Sequence, residues 1–281
     1  MILLAGTLGI SFAAIFIRAA QPAPPVVIAF YRVFFAGLMM ATWFAIRGRK
    51  IAFDAPGRNA ALLGGFFFAT DMALWHTALV QTSVANATLL VNTTPLYIGL
   101  FSAAVFGEHL GRHFVIGAAL ALVGAAILLG VDGLGGEGIE GDAIALVAAL
   151  FYAGYLLLMK QARRELDAAH AVLAASASAT IVLGISALAR GDPFAGFPTT
   201  SWLAMLGAAL VSQIGGVLGI AWALGYLRAT YASVALLAQP LGTALLGWLL
   251  LGEAITPLQA LGGMGVIAGI AVVTRAPAPK G

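Results

Sequence analysis

Long apolar runs alternate with short polar breaks along the whole chain. The runs end at charged residues, prolines or glycine clusters, and a helix needs about 20 mostly apolar residues to cross roughly 30 Å of hydrocarbon. Ten runs meet that length, at roughly 2–19, 25–46, 59–80, 84–106, 113–131, 141–160, 168–189, 200–223, 230–251 and 257–274. Several connections are only about three to nine residues long, too short for a soluble domain. The pattern therefore predicts an all-α fold: a polytopic membrane protein of ten transmembrane helices, with 1–281 as one transmembrane domain. The first run reads as a helix rather than a secretory leader, because no basic stretch precedes it and it ends in Arg18 instead of a small-residue cleavage site.

Composition agrees with the pattern. The chain is 62% hydrophobic and 9% charged, with a mean hydropathy of +1.02, whereas soluble domains carry about a quarter charged residues. Cysteine is absent, which excludes disulfides and thiolate metal sites, and no cofactor or metal is expected. The net charge of +3 comes from basic residues at loop ends, so membrane lipid and a small-molecule substrate are the expected partners and nucleic acid is not. Those residues also orient the chain. With ten spans, Arg47, Arg49, Lys50, Arg58, Arg112, Lys160, Arg163, Arg164, Arg228, Arg275 and Lys280 fall on one side, and Arg18 and Arg190 on the other. The positive-inside rule then puts both termini in the cytoplasm, in what is expected to be a bacterial inner membrane.

The chain also resembles itself. Shifted by 145 positions, "ALVQTSVANATLLVNTTPLYIGLFSAAVFGEHL" meets "ALGYLRATYASVALLAQPLGTALLGWLLLGEAI" without a gap. Ala78, Leu79, Ala87, Pro95, Leu96, Leu100, Gly107, Glu108, Gly117 and Gly124 fall on identical residues at Ala223, Leu224, Ala232, Pro240, Leu241, Leu245, Gly252, Glu253, Gly262 and Gly269. Apolar bias matches Ala with Leu-rich sequence, but it does not bring Pro onto Pro and Gly-Glu onto Gly-Glu in one register. The expected domains are thus a first repeat at 1–131 and a second at 141–275. Five spans per half is an odd number, so the second half enters the membrane from the opposite side. Inverted repeats of this kind support alternating access to a central site near the midplane.

"TSVANATLLVNTTPL", "FGEHL" with the Gly-rich run after it, "ASVALLAQPLGTALLGWLLLGEAI", "LGGMGVIAGIAVV" and the "AFYR" ending at Arg32 are similar to the EamA-type branch of the drug/metabolite transporter superfamily. The resemblance covers both halves. It implies ten helices around a central cavity and export of small metabolites: amino acids, nucleobase-like compounds or drugs. The YddG-type aromatic amino acid exporters are one such group.

Polar residues inside the spans are the candidate chemistry, since each is costly in lipid. Asp71 is the one acidic residue well inside a span, and Arg32 the one basic residue. Their depths from the outer ends are roughly 15 and 11 Å at 1.5 Å per residue, so they are able to meet. Two readings stand: a buried ion pair pinning two helices, or Asp71 as a proton carrier or partner for a substrate ammonium. His76, about 140° around the helix from Asp71, either meets a substrate carboxylate and titrates or is a satisfied interhelical contact. Trp75 stacks an aromatic substrate or anchors the interface.

In the fourth span Asn86, Thr93 and Tyr97 share a stripe within about 40°, opposite Thr88 and Asn92. The first stripe is favoured as the cavity wall, its repeat mates being Tyr231, Ala238 and Gly242, with Thr88 and Asn92 joining helices; the reverse assignment stays open. Gln213, Trp222, Tyr226 and Gln239 are the second half's candidates, against packing or interfacial roles. Pro95 and Pro240 break helical hydrogen bonds as paired hinges or static kinks. The glycine-rich runs "GAALALVGAAILLG" and "GGMGVIAGI" read as packing seams or a homodimer face, and Glu108 and Glu253 as helix caps.

"GGVLG" at 215–219 lacks the Lys and Ser/Thr of a phosphate loop, and His109 with His113 has no carboxylate pattern beside it. The leading expectation is a secondary transporter or facilitator exporting small metabolites, amino acids above all, by alternating access. A proton-coupled exporter of drugs or nucleobase-type compounds is the alternative. A passive pore and an intramembrane enzyme using Asp71 and His76 are the remaining classes, the enzyme disfavoured by helical phase.

Overall fold

A computed structural model describes residues 1–49, 57–106, 110–130, 138–252 and 254–275. Along the chain run α1 (Ile2–Ala19), α2 (Pro25–Ile46), α3 (Arg58–Gln81), α4 (Val84–Val91), α5 (Thr94–Phe106), α6 (Arg112–Leu129), α7 (Ile139–Ala162), α8 (Ala168–Arg190), α9 (Thr199–Gly207), a π-helical segment (Ala208–Val217), α10 (Leu218–Leu224), α11 (Ala229–Leu236), α12 (Ala238–Leu251) and α13 (Pro257–Thr274). No strand occurs among the described residues. Local chemistry sets the ends. Ser83 caps α4 and Asp167 caps α8 through side-chain oxygens, and Thr256 with Gln259 closes a capping box ahead of Pro257. Gly130, Gly191 and Gly252 end α6, α8 and α12 in the left-handed conformation that glycine adopts without penalty. Glu108 and Glu253, expected caps, lie outside the described residues.

Nine helical stretches among the described residues are long and apolar enough to cross a bilayer, with α4–α5, α9 to α10 and α11–α12 each acting as one. The helix α3 is as long as α7 but less apolar, because it carries Asn59, Asp71, His76 and Gln81. It is packed against α7 and α8. The outer surface is the reverse of a soluble protein's: Ile181, Ile185 and Leu188 on α8, Leu249 and Leu250 on α12, and Met264 and Ile267 on α13 are exposed. Apolar surface of that extent is stable against lipid rather than water. The chain is an integral membrane protein.

Partners are exchanged between the two parts of the chain. While α3 packs on α7 and α8, the rod from α9 through α10 packs on α1 and α2; α4 and α5 lean on α7, and α11 and α12 on α1. Two further pairs, α2 with α8 and α6 with α13, join the parts directly. Small residues permit the closest approaches. A Cβ on Gly124 would meet Val266 N at 2.5 Å and Gly262 O at 2.6 Å, and one on Gly262 would meet Leu128 N at 2.5 Å. The glycine-rich runs of α6 and α13 thus form a seam inside the chain. Gly6 and Gly216 do the same for α1 and the π segment.

The connections sort to two ends. At one, Ser201 donates to Gln21 O (3.0 Å), Tyr31 donates to Phe194 O (2.7 Å) and Thr82 donates to Asp142 Oδ1 (2.7 Å). At the other, Arg49 approaches Asp167 (3.7 Å), Lys160 donates to Leu227 O (2.8 Å) and Arg163 Nε donates to Ala221 O (2.9 Å). Most of the loop cations gather at this second end.

Candidate functional site

Arg32 lies two turns into α2, and its long side chain is drawn inward by apolar and aromatic neighbours. Its guanidinium carbon stands 5.5 Å from the Phe68 ring, Nη2 is 3.4 Å from Met72 Sδ, and the fully buried Nε has no hydrogen-bond partner. Phe68 in turn packs on Tyr155 of α7 with ring centroids 4.7 Å apart. Asp71, His76, Tyr152 and Tyr155 are within electrostatic reach of Arg32.

Asp71 is 7% exposed, and its Oδ1 has no partner. The expected ion pair is not closed: among the described residues no direct Arg32–Asp71 bridge forms, because the guanidinium is turned onto Met72 and Phe68. Two groups able to carry opposite charge thus share one apolar interior without touching. Leaving charged groups in that condition is costly unless something else satisfies them.

His76, on the following turns of α3, is 5% exposed, and neither ring nitrogen has a partner. With Arg32 and Met72 it lines a small cavity between α1, α2, α3 and the start of the π segment, completed by Ala13, Ile17, Pro25, Ile28, Ala29 and Ala208. The cavity is about 10 Å³, room for one water. Above it, Ala20, Ala23, Ile28, Ala204 and Met205 are buried with Phe16, Ile17, Phe197 and Trp202 packed against them, closing that end of the bundle.

From the other part of the chain comes Gln213. It is 2% exposed and sits in the π segment, a local widening of the helix that frequently marks functional sites. Its Nε2 is 3.5 Å from Ser176 Oγ of α8, while its Oε1 and the neighbouring Ser212 Oγ have no partner. Ser176 Cβ lies 3.7 Å from where a Cβ on Gly37 would stand, so Gln213 meets α8 near the level of Gly37, which is roughly 7.5 Å along α2 from Arg32.

The remaining candidates separate. Trp75 faces a cluster of Ala78, Ala87, Leu90 and Ala145, its ring 5.3 Å from that of His76 and its Nε1 unpartnered. Asn86 is buried with a partnerless Oδ1. The stripe of Asn86, Thr93 and Tyr97 assumed one continuous helix, and the chain breaks at 92–93, so a phase of 100° per residue does not carry across. Pro95 deprives Val91 O of its backbone donor, and the Thr94 hydroxyl takes that carbonyl (2.7 Å). Thr93 donates to Leu90 O (2.6 Å) and the Asn92 side chain to the Thr88 backbone carbonyl (2.8 Å), so Asn92 secures its own helix end. The bond between helices comes instead from Thr94 to Ala149 O (3.3 Å). Tyr97 packs on the main core.

Gln239 offers its backbone carbonyl to Ser11 Oγ (3.0 Å) beside Pro240, joining α12 to α1. Trp222 and Tyr226 pack as a tilted ring pair with centroids 4.6 Å apart but are 41% and 69% exposed, away from the buried cluster. Sequence reasoning missed Tyr152, Tyr155, Ser176 and Ser212. "FYAGY" spaces the two tyrosines three apart, which places them on one face of α7. Ser176 and Ser212 gave no such signal.

The arrangement can hold a carboxylate at Arg32, an ammonium at Asp71 and a further polar group at His76 or Gln213. No cluster of metal-ligating residues occurs among the described residues.

Known proteins resemble this chain along its whole length. An uncharacterized transporter of Archaeoglobus fulgidus is 27% identical over 251 residues, covering 88% of this chain and 86% of that protein. The uncharacterized transporter YdfC of Bacillus subtilis is 23% identical, with 83% and 77% covered, and the uncharacterized protein PA1977 of Pseudomonas aeruginosa is 30% identical, with 86% and 81% covered. A crystal structure superposes with a TM-score of 0.83 over 97% of this chain and 96% of its own, at 22% identity, and so shares the fold. The sequence model of one transporter family matches twice, at 1–130 and at 139–275. The chain belongs to the EamA-like transporter family.

Proposed function

We propose that this membrane transporter is a secondary carrier exporting small metabolites, amino acids first among them and aromatic ones included, by alternating access. The observation that carries the reading is the set of partnerless buried polar atoms on Arg32, Asp71 and His76 in one part of the chain, Arg32 and His76 lining one cavity, and on Gln213 in the other. A soluble core satisfies such groups; a carrier leaves them for its cargo.

Two observations support an inverted repeat of five spans each, 1–131 and 141–275. The family matches fall on the same two segments, and the helix contacts exchange partners between them. In this reading α3 is the tenth span, its polar residues sheltered by α7 and α8, and the cation-rich end faces the cytoplasm with both termini in a bacterial plasma membrane. The protein works as a monomer or homodimer without a cofactor. An intramembrane enzyme fits less well, because His76 lines the cavity while Asp71 does not.

A proton-coupled exporter of drugs or nucleobase-type compounds is the second reading, favoured by an Asp71 without an arginine bridge. The test is counterflow in liposomes. Saturable exchange of labelled amino acids supports the carrier; flux that never saturates indicates a pore, and consumption of the substrate indicates an enzyme. An Asp71→Asn protein that folds and keeps pH-independent exchange rules out Asp71 as the proton carrier.

A further inference from the structure

Arg32 and Asp71 present an arrangement that neither a structural pair nor a single ion site explains. Each bears a fully buried polar atom with no partner, and the two are within electrostatic reach but not in contact. If they existed only to pin α2 to α3, the guanidinium would be expected on the carboxylate, where a charge-assisted bond is strongest. It is turned instead onto the Met72 sulfur and the Phe68 ring, contacts that hold a cation without using up its donors.

We propose, building on the amino-acid carrier reading above, that Arg32 and Asp71 are the two poles of a clamp for a zwitterion, Arg32 taking the α-carboxylate and Asp71 the α-ammonium. A zwitterion carries both charges on adjacent groups and no net charge, so a single ligand neutralises both side chains at once. A simple amine or a simple acid leaves one pole buried and unmatched. His76 stands at the Arg32 side: both line the same cavity, together with Met72, and Asp71 does not. Its unpartnered ring N–H is the second donor to the carboxylate, whichever nitrogen bears the proton. With room for one water, the cavity is the closed form of the carboxylate end.

Aromatic rings lie beside the pair. Phe68, which faces the Arg32 guanidinium, is tilted against Tyr155 with centroids 4.7 Å apart, and Tyr152 lies 6.0 Å from Tyr155. These give the substrate side chain an apolar bed.

The experiment measures competition by phenylalanine, phenethylamine and 3-phenylpropionate against a saturably transported labelled substrate of the wild-type protein, and repeats it with Arg32→Gln, Arg32→Lys, Asp71→Asn and Asp71→Glu. Melting transitions and elution profiles check folding, and binding to purified protein followed by thermal shift gives a second readout where transport is lost. Wild type should prefer phenylalanine over both half-ligands by about tenfold or more, the worth of one charge-assisted hydrogen bond. Arg32→Gln should erase the advantage of phenylalanine over phenethylamine while keeping that over 3-phenylpropionate. Asp71→Asn should do the opposite, and the charge-conserving variants should retain most of the preference.

Equal weakening for all three ligands in both neutral variants would mean that the pair is structural, and the clamp would be overturned. Unchanged preference with saturable amino-acid transport would overturn the clamp and leave the carrier reading standing. Saturable transport of a non-zwitterion alone, or no binding of threonine, methionine or phenylalanine by folded wild-type protein, would overturn both.

Discussion

Asn92 and Leu237 occupy matching breaks: each interrupts a helix three residues ahead of a buried proline, Pro95 and Pro240, and the two breaks are 145 positions apart. On one side α4 gives way to α5, on the other α11 to α12. A missing proline N–H frees a carbonyl at each.

If these breaks are hinges, Pro95→Ala and Pro240→Ala should each slow counterflow several-fold while changing the apparent affinity less than about twofold, because the moving joint stiffens and the site is untouched. Initial rates over a concentration series separate the two parameters. A fall in affinity with the rate preserved would identify static kinks that shape the cavity.

Glycine at the α6–α13 seam is required by backbone proximity. Gly124→Val should destabilise the protein by about 1–3 kcal/mol or more, since the added Cβ meets backbone atoms that cannot rotate away. Gly111→Ala is the control: no atom lies within 4 Å of its Cβ, and φ is −63°. Melting midpoints in detergent check both, and equal midpoints would contradict the seam.

Outside the membrane, Asp167 caps α8 and meets His170 and Arg49. Burial raises its pKa, but the backbone and side-chain hydrogen bonds from His170, with the charges of His170 and Arg49, outweigh burial and hold it below the ordinary 3.8. A depressed folded value means that the contribution is fully present above the unfolded pKa and is lost as pH falls through the folded one. Asp167→Ala should therefore cost about 1 kcal/mol at neutral pH, the difference from wild type narrowing below about pH 4. Melting curves across pH test this, and a gap that widens in acid would reverse the sign.

Tyr31 ties α2 to the loop at Phe194 with a 2.7 Å hydrogen bond and meets Trp202 edge-to-face with ring centroids 4.9 Å apart. Tyr31→Phe keeps the ring and removes the bond, so that end should open more often, by roughly two- to tenfold for a bond worth about 0.5–1.5 kcal/mol. The chain has no cysteine, and a single Ala204→Cys therefore reports opening by its labelling rate. An unchanged rate would show that this contact does not gate the end.

The spans were legible because length and flanking charge are local properties: the run at 25–46 matches α2, and 168–189 falls one residue short of α8. The paired prolines were legible from the repeat. The π segment was not, since "AALVSQIGGV" has the composition of any apolar helix and its widening depends on the fit of Gly216 against Gly6 and Ile10. Depth along α2 and α3 showed that Arg32 and Asp71 were able to meet. Whether they do is decided by Met72 and Phe68, whose roles are set by rotamers that no periodicity encodes. The stripe along the fourth span was drawn on one continuous helix, and the break ahead of Pro95, which resets helical phase, is not encoded in periodicity.

The central claim is that a small zwitterion is carried at Arg32, Asp71 and His76, and reconstituted liposomes test it most directly. Uptake of labelled threonine, methionine and phenylalanine is measured with and without an imposed pH gradient. Saturable uptake of at least one of them, weakened in Arg32→Gln and Asp71→Asn proteins of unchanged melting temperature, is the predicted result. Transport that ignores both substitutions, or the absence of saturable uptake for all three, would contradict it.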